Sequence, residues 1–174
     1  TGTGLDQLRA QLNELGKSVP ARSQDFVTRL PIDRAFSMKG FGAVVTGTLI
    51  SGKIKEGNEL DLLPSQINVR VRGLQVHNKP VTEAHAGQRT AVNLAGVDTA
   101  QIERGMVLAP AGRLRPTQIV DVWIDVLPGA SRAVRSRSRV RFHIGAAEVL
   151  GRVRVLDGPP QITPGRGGLA QLRL

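Results

Sequence analysis

The sequence predicts an all-β chain: a small closed β-barrel, then a second and incomplete β-barrel, with one short helix in front. Three observations predict it. From Phe26 onward, short runs rich in Val, Ile, Leu and Thr recur with no helical period between them. Turn formers separate the runs at Lys39-Gly40, Ser51-Gly52, Glu56-Gly57-Asn58, Asn78-Lys79-Pro80 and Ala86-Gly87. Closure into a barrel is preferred because it removes the strand edges that would otherwise template aggregation.

In chain order, residues 1–19 carry the helix. LDQLRAQLNEL sets Leu5, Leu8, Leu12 and Leu15 on one helical face, with Thr3 or Asp6 at the amino end and Gly16 as the stop. Such a stripe needs a partner surface. Residues 20–25, within KSVPARSQD, read as a linker. Residues 26–112 hold the strand runs FVTRL, FGAVVTGTLI, NELDLL, INVRVRGLQV, RTAVNL and MVLAP, the first barrel. GRLRP at 112–116 marks a boundary. The second barrel occupies 113–174, in QIVDVWIDVL, SRVRFHIG, EVLGRVRVL and GLAQLRL. Ile119, Asp121, Trp123 and Asp125 alternate there with Val120, Val122, Ile124 and Val126, a half-buried strand pattern. Four strands are few for closure, so this unit reads as truncated at its carboxyl side.

Composition narrows the function. There is no cysteine, which excludes disulfides and thiolate metal sites. His77, His85 and His143 are too scattered for a metal site, so none is expected. No run approaches 18 apolar residues and no signal-peptide pattern opens the chain, which points to a cytoplasmic protein with no membrane partner. The net charge is +10, unevenly placed: residues 113–174 carry 11 basic and 4 acidic side chains, and every one of those cations is Arg. That balance suggests a polyanionic partner, most often nucleic acid.

Tempting nucleotide motifs fail. ELGKS at 14–18 ends like a phosphate loop, but Gln11 stands where the first glycine belongs and no strand precedes it. HNKPV puts Val81 where a guanine-reading aspartate is needed, and GFGAVV lacks the last glycine of G-x-G-x-x-G. No spacing indicates a Ser/His/Asp grouping, so no catalytic residue is expected.

Two stretches carry a resemblance. LPIDRAFSMKGFGAVVTGTLISGKIKEGNEL resembles the opening of the second domain of translational GTPases, the elongation factor Tu-like barrel. AGQRTAVNLAGVDTAQIERGMVLA is similar to its closing part. VRVRGLQVHNKPVTEAHAG and FHIGAAEVLGRVRVLDG are most similar to the selenocysteine-specific elongation factors. TGTGLDQLRAQLNELG is similar to the last helix of a G domain. The resemblance implies a central fragment covering domains two and three, with the G domain before it and mRNA-reading winged helices after it. GTP and Mg would then be held by that G domain and no cofactor by these residues, which would not themselves form an enzyme although the parent would be a GTPase. The implied partners are selenocysteinyl-tRNA, the ribosome and, through the later modules, a selenoprotein mRNA hairpin, with the protein acting as a monomer.

The resemblance also implies site residues. The family holds the aminoacyl end of the tRNA on domain two, and the matching positions here are Asp33 and Arg34, placed at a turn, and Arg89, with Phe36 and Thr46 lining the wall nearby. Ordinary elongation factors tend to have acidic or neutral groups where Arg34 and Arg89 stand. Selenocysteine enters as a selenolate, being more acidic than a thiol at about pH 8.5, and guanidiniums offer that anion fixed charge and directed donors. Asp33 could hold one arginine in place. Arg89 lies in an otherwise apolar strand, where arginine needs a partner.

In SRAVRSRSRVRFHIG, Arg135, Arg137, Arg139, Arg141 and His143 take alternate positions and would face one way on a single strand. With Arg152 and Arg154 they form the expected tRNA-backbone row, His143 being structural. Two alternatives stay open at this point: another tRNA-carrying GTPase of the initiation factor two gamma or elongation factor Tu type, or a structural barrel that binds no tRNA.

Overall fold

The computed structural model describes residues 2–20 and 25–174. Residues 21–24 of the expected linker lie outside them. Helix α1 (Leu5–Ser18) starts on Gly4, whose φ of 86 no side-chain cap accompanies, so neither Thr3 nor Asp6 caps it. It also runs through Gly16, because Lys17 pairs with Glu14 at 2.8 Å and the Ser18 hydroxyl donates to the Leu15 carbonyl. Its leucine stripe is exposed along its whole length.

The first unit contains β1 (Leu30–Met38), β2 (Gly42–Thr48), β3 (Lys53–Lys55), β4 (Glu59–Leu63), β5 (Ile67–Val76), β6 (Lys79–Val81), β7 (Glu83–His85), β8 (Arg89–Ala95) and β9 (Val107–Pro110). Pairing runs β9–β1–β2–β8–β5–β4 and returns to β9, a closed antiparallel barrel of six strands. β6 hairpins off β5, and β3 pairs with β7 as a separate ribbon. The first strand is not FVTRL as expected: of that run Arg29 forms an isolated bridge to Ser51, and Leu30 begins β1 opposite Leu108, the strand continuing through PIDRAFSM.

Alternation fills the barrel. Ile32, Val45, Leu62, Val69, Val71, Val92, Leu94 and Leu108 point inward and are almost wholly buried, each contributing roughly 1.5–3 kcal/mol of burial. Two breaks in that alternation matter. On β1 the register slips between Ile32 and Arg34, and on β5 between Val71 and Gly73. Gly47, opposite Ile32, admits the slip: a Cβ there would lie 2.1 Å from the Pro31 carbonyl oxygen.

The second unit contains β10 (Ile119–Asp125), β11 (Val134–Arg135), β12 (Arg139–Ile144), β13 (Ala147–Val155), β14 (Gln161–Ile162) and β15 (Gly167–Arg173). Its main sheet has the order β10-β15-β13-β12, and β11 pairs with β14. Val153, Ala170 and Leu172 form its core, with Val120, Val122, Ile124, Val140 and Phe142 packed against them. The sheet is open, with edges at β10 and β12.

Candidate functional site

Asp33 and Arg34 do not stand at a turn. β1 continues four residues beyond them to Met38. Ile32 and Ala35 both face the core, and the bulge leaves two residues between these inward positions where simple alternation allows one. Asp33 and Arg34 therefore both lie on the outer face. This is why an aspartate and an arginine can sit side by side in a strand.

That outer face gathers the expected residues. Arg34 is registered opposite Thr46 on β2, and Phe36 opposite Val44 one step along. Thr48 of β2 is registered opposite Arg89 on β8. The Arg89 guanidinium donates through Nη1 to Asp33 Oδ2 and through Nη2 to Asp33 Oδ1, the second at 3.0 Å. The Thr46 hydroxyl donates to Asp33 Oδ1 at 2.8 Å. The Arg34 side chain makes no hydrogen bond or ion pair with the described residues.

The electrostatics follow. Hydrogen bonding from Arg89 holds the Asp33 carboxyl below its usual range, against the opposing effect of partial burial. The Thr46 hydroxyl and the charges of Arg89 and Arg34 add to the lowering. Arg89 is raised in turn by Asp33. Asp33, Arg34 and Arg89 together carry one net positive charge. Arg89 is thus not a free cation, and the uncompensated charge belongs to Arg34.

The second unit corrects the arginine row. Arg135 lies on β11 against Gln161, and Arg137 has a φ of 70, so the row does not continue along one strand. The grouping runs across the sheet instead. Arg139 is registered opposite Arg152, and Arg152 opposite Arg173, which sequence reasoning missed. Strands lie about 4.8 Å apart, so this line spans about 10 Å. Arg141 and Arg154 flank it on the same face, opposite Leu150 and Gln171. Arg141 and His143 share Glu148, at 3.5 and 3.8 Å. Arg139, Arg152 and Arg173 have no ion pair among the described residues.

Among the described residues there is no cluster of His, Asp and Glu able to hold a metal. Gly16-Lys17-Ser18 is helical, so it cannot cradle a phosphate as a loop does. No helix among the described residues is long and apolar enough to cross a membrane.

Comparison with known proteins gives this geometry its context. The profile of the family "Elongation factor Tu domain 2" matches residues 42–109. The selenocysteine-specific elongation factor of Desulfomicrobium baculatum is 41% identical over 173 residues, 99% of this chain and 27% of that protein. Its counterpart in Escherichia coli strain K12 is 38% identical over 90% of this chain and 25% of that protein. The chain thus spans about a quarter of the length of these relatives. The crystal structure of a bacterial selenocysteine-specific elongation factor superposes with a TM-score of 0.81 at 27% identity, over 99% of this chain and 27% of the other. The apo translation elongation factor SelB of Methanococcus maripaludis gives 0.82 at 27% identity, over 98% of this chain and 40% of the other. A closed six-strand barrel with these matches, followed by a second sheet that aligns along with it, gives residues 42–109 the fold of elongation factor Tu domain 2 and makes the chain similar, along nearly its whole length, to one part of the selenocysteine-specific elongation factors.

Proposed function

We propose that this chain is the aminoacyl-tRNA-binding portion of a selenocysteine-specific elongation factor, which delivers selenocysteinyl-tRNA to the ribosome. The observation that carries the reading is the bulge at Asp33-Arg34, which puts two arginines and one aspartate on a single outer face. A selenolate brought to that face neutralises its one net positive charge. Seryl-tRNA brings a neutral hydroxyl and leaves Arg34 uncompensated, so the wrong substrate is penalised as well as the right one rewarded. Asp33 and Thr46 orient Arg89, whose remaining N–H groups are donors to the ligand. Phe36 borders the site. The line Arg139–Arg152–Arg173, with Arg141 and Arg154, supplies phosphate contacts that position the RNA without reading its bases. Binding and hydrolysis of GTP, and reading of the mRNA hairpin, belong in this reading to other parts of the full-length protein.

The test is equilibrium binding of the full-length protein carrying Arg34→Ala or Arg89→Ala. Selenocysteinyl-tRNA should weaken by about tenfold or more, the equivalent of one charge-assisted hydrogen bond, while seryl-tRNA changes little. Equal weakening of both removes the selenolate role. Binding of neither tRNA by the unmodified protein removes the tRNA role altogether.

A further inference from the structure

The two units meet at a junction that none of the site residues above occupies. Gly105, in the turn before β9, has a φ of 97, and a Cβ built on it would lie 2.7 Å from both Cα and Cβ of Ala147. Gly145, in the tight turn between β12 and β13, has a φ of 56, and its Cβ would lie 2.9 Å from Cβ of Pro31 and 3.1 Å from its Cγ. Each glycine admits the other unit's chain to a distance that a side chain would block.

The junction is tied to both candidate contact regions. The Gly105 N–H donates to the Ile32 carbonyl at 2.8 Å, and the Ile32 N–H donates to the Met106 carbonyl at 2.8 Å. Pro31 and Ile32 are therefore held from two sides, and Asp33 is the next residue. The hairpin that presses on Pro31 is made of β12 and β13, the strands that carry Arg139, Arg141, Arg152 and Arg154.

The geometry points to Gly105 and Gly145 as positioning residues: they clasp the β12–β13 hairpin onto Pro31-Ile32 and fix the spacing between the Asp33 bulge and the arginine line. The ligand that needs such a spacing is one long molecule with an anionic end group and a phosphate backbone, engaged at both places at once. The inference rests on the tRNA reading above and adds that the two contacts act as a bivalent pair with a stiff link. Correct spacing of such a pair multiplies affinity, and wrong spacing forfeits the gain.

Two ligands separate the clasp from the pocket: whole selenocysteinyl-tRNA, and a CCA trinucleotide carrying selenocysteine, which reaches the pocket alone. In the full-length protein, Gly105→Ala pushes the hairpin off. It should weaken the tRNA by about tenfold or more and leave the trinucleotide within about twofold. Should the melting curve show that Gly105→Ala does not fold, Gly145→Ala serves instead, since it collides with a side chain at an exposed turn. Equal losses for both ligands would assign these glycines to the pocket, and no loss for either would leave the spacing without consequence; each overturns the inference while the tRNA reading stands. Failure of the unmodified protein to bind the tRNA overturns both.

Discussion

Arg89 on β8 and Asp33 on β1 meet across the intervening strand β2, joined by two hydrogen bonds between residues 56 apart in the chain. The contact depends on the bulge. Without the extra residue in β1, Asp33 would alternate with its neighbours in a different phase, and Ile32 and Ala35 could not both face the core. One irregularity of backbone thus turns a strand residue into the anchor of a cation.

That anchor has a pH signature. The folded-state pKa of Asp33 is lowered, so its contribution to stability is complete above the unfolded value of about 3.9. It is lost as pH falls through the lower folded value. Asp33→Asn should therefore cost about 1 kcal/mol or less at neutral pH, since the Arg89 side chain is 53% exposed and solvent screens the pair. The cost should vanish in strong acid. Urea midpoints of both proteins at pH 7 and below pH 3 measure it; a gap that persists in acid would contradict the assignment.

Gly47 is the second condition for the bulge. A methyl group there meets the Pro31 carbonyl oxygen at 2.1 Å and the Leu30 side chain at 2.8 Å, so the backbone has to move. Gly47→Ala should destabilise by about 3 kcal/mol, the upper range for overpacking, and should loosen the Asp33–Arg89 pair with it. Thermal melting reports the first effect. Loss of the acid dependence described above reports the second.

The barrel was legible in the sequence because valines, leucines and glycines mark its strands and turns without reference to pairing. What was hidden depends on register. Pro31, Asp33 and Arg34 break the alternation of β1, so the strand was expected earlier, at FVTRL, and Asp33-Arg34 was put at a turn. The short strands β3, β6 and β7 are three residues each, too brief for a period-two signal. Arg89 in an apolar strand announced that it needed a partner, but nothing in the spacing showed that Asp33 was it. The arginine row was expected along one strand because alternation is visible in one dimension. Arg137 leaves the extended conformation and breaks it, and Arg173 joins only across the sheet.

The line Arg139–Arg152–Arg173 should cost stability, because like charges directly opposite on neighbouring strands repel. Arg152→Gln should stabilise the protein by about 0.2–1 kcal/mol at low salt, with the gain shrinking as salt screens the repulsion. The same change should weaken tRNA and reduce the slope of log K against log salt by about 0.7–0.9, one phosphate contact. A variant that is both less stable and unchanged in salt slope would show that the line is structural.

Arg34 and Arg89 should separate in their effects, because only one of them is bonded within the protein. Arg89→Gln leaves the Asp33 carboxylate without its guanidinium, so it should lower stability by about 1 kcal/mol and also reduce discrimination. Arg34 holds nothing in place among the described residues. Arg34→Gln should leave the melting temperature unchanged and still reduce the preference for selenocysteinyl-tRNA over seryl-tRNA by about tenfold. Either change removes the net positive charge of the site, so the two variants separate in stability rather than in charge. Melting curves paired with the two binding constants for each variant check this. If Arg34→Gln melts early, the arginine braces the strand; if it melts normally and discriminates normally, the selenolate is held elsewhere.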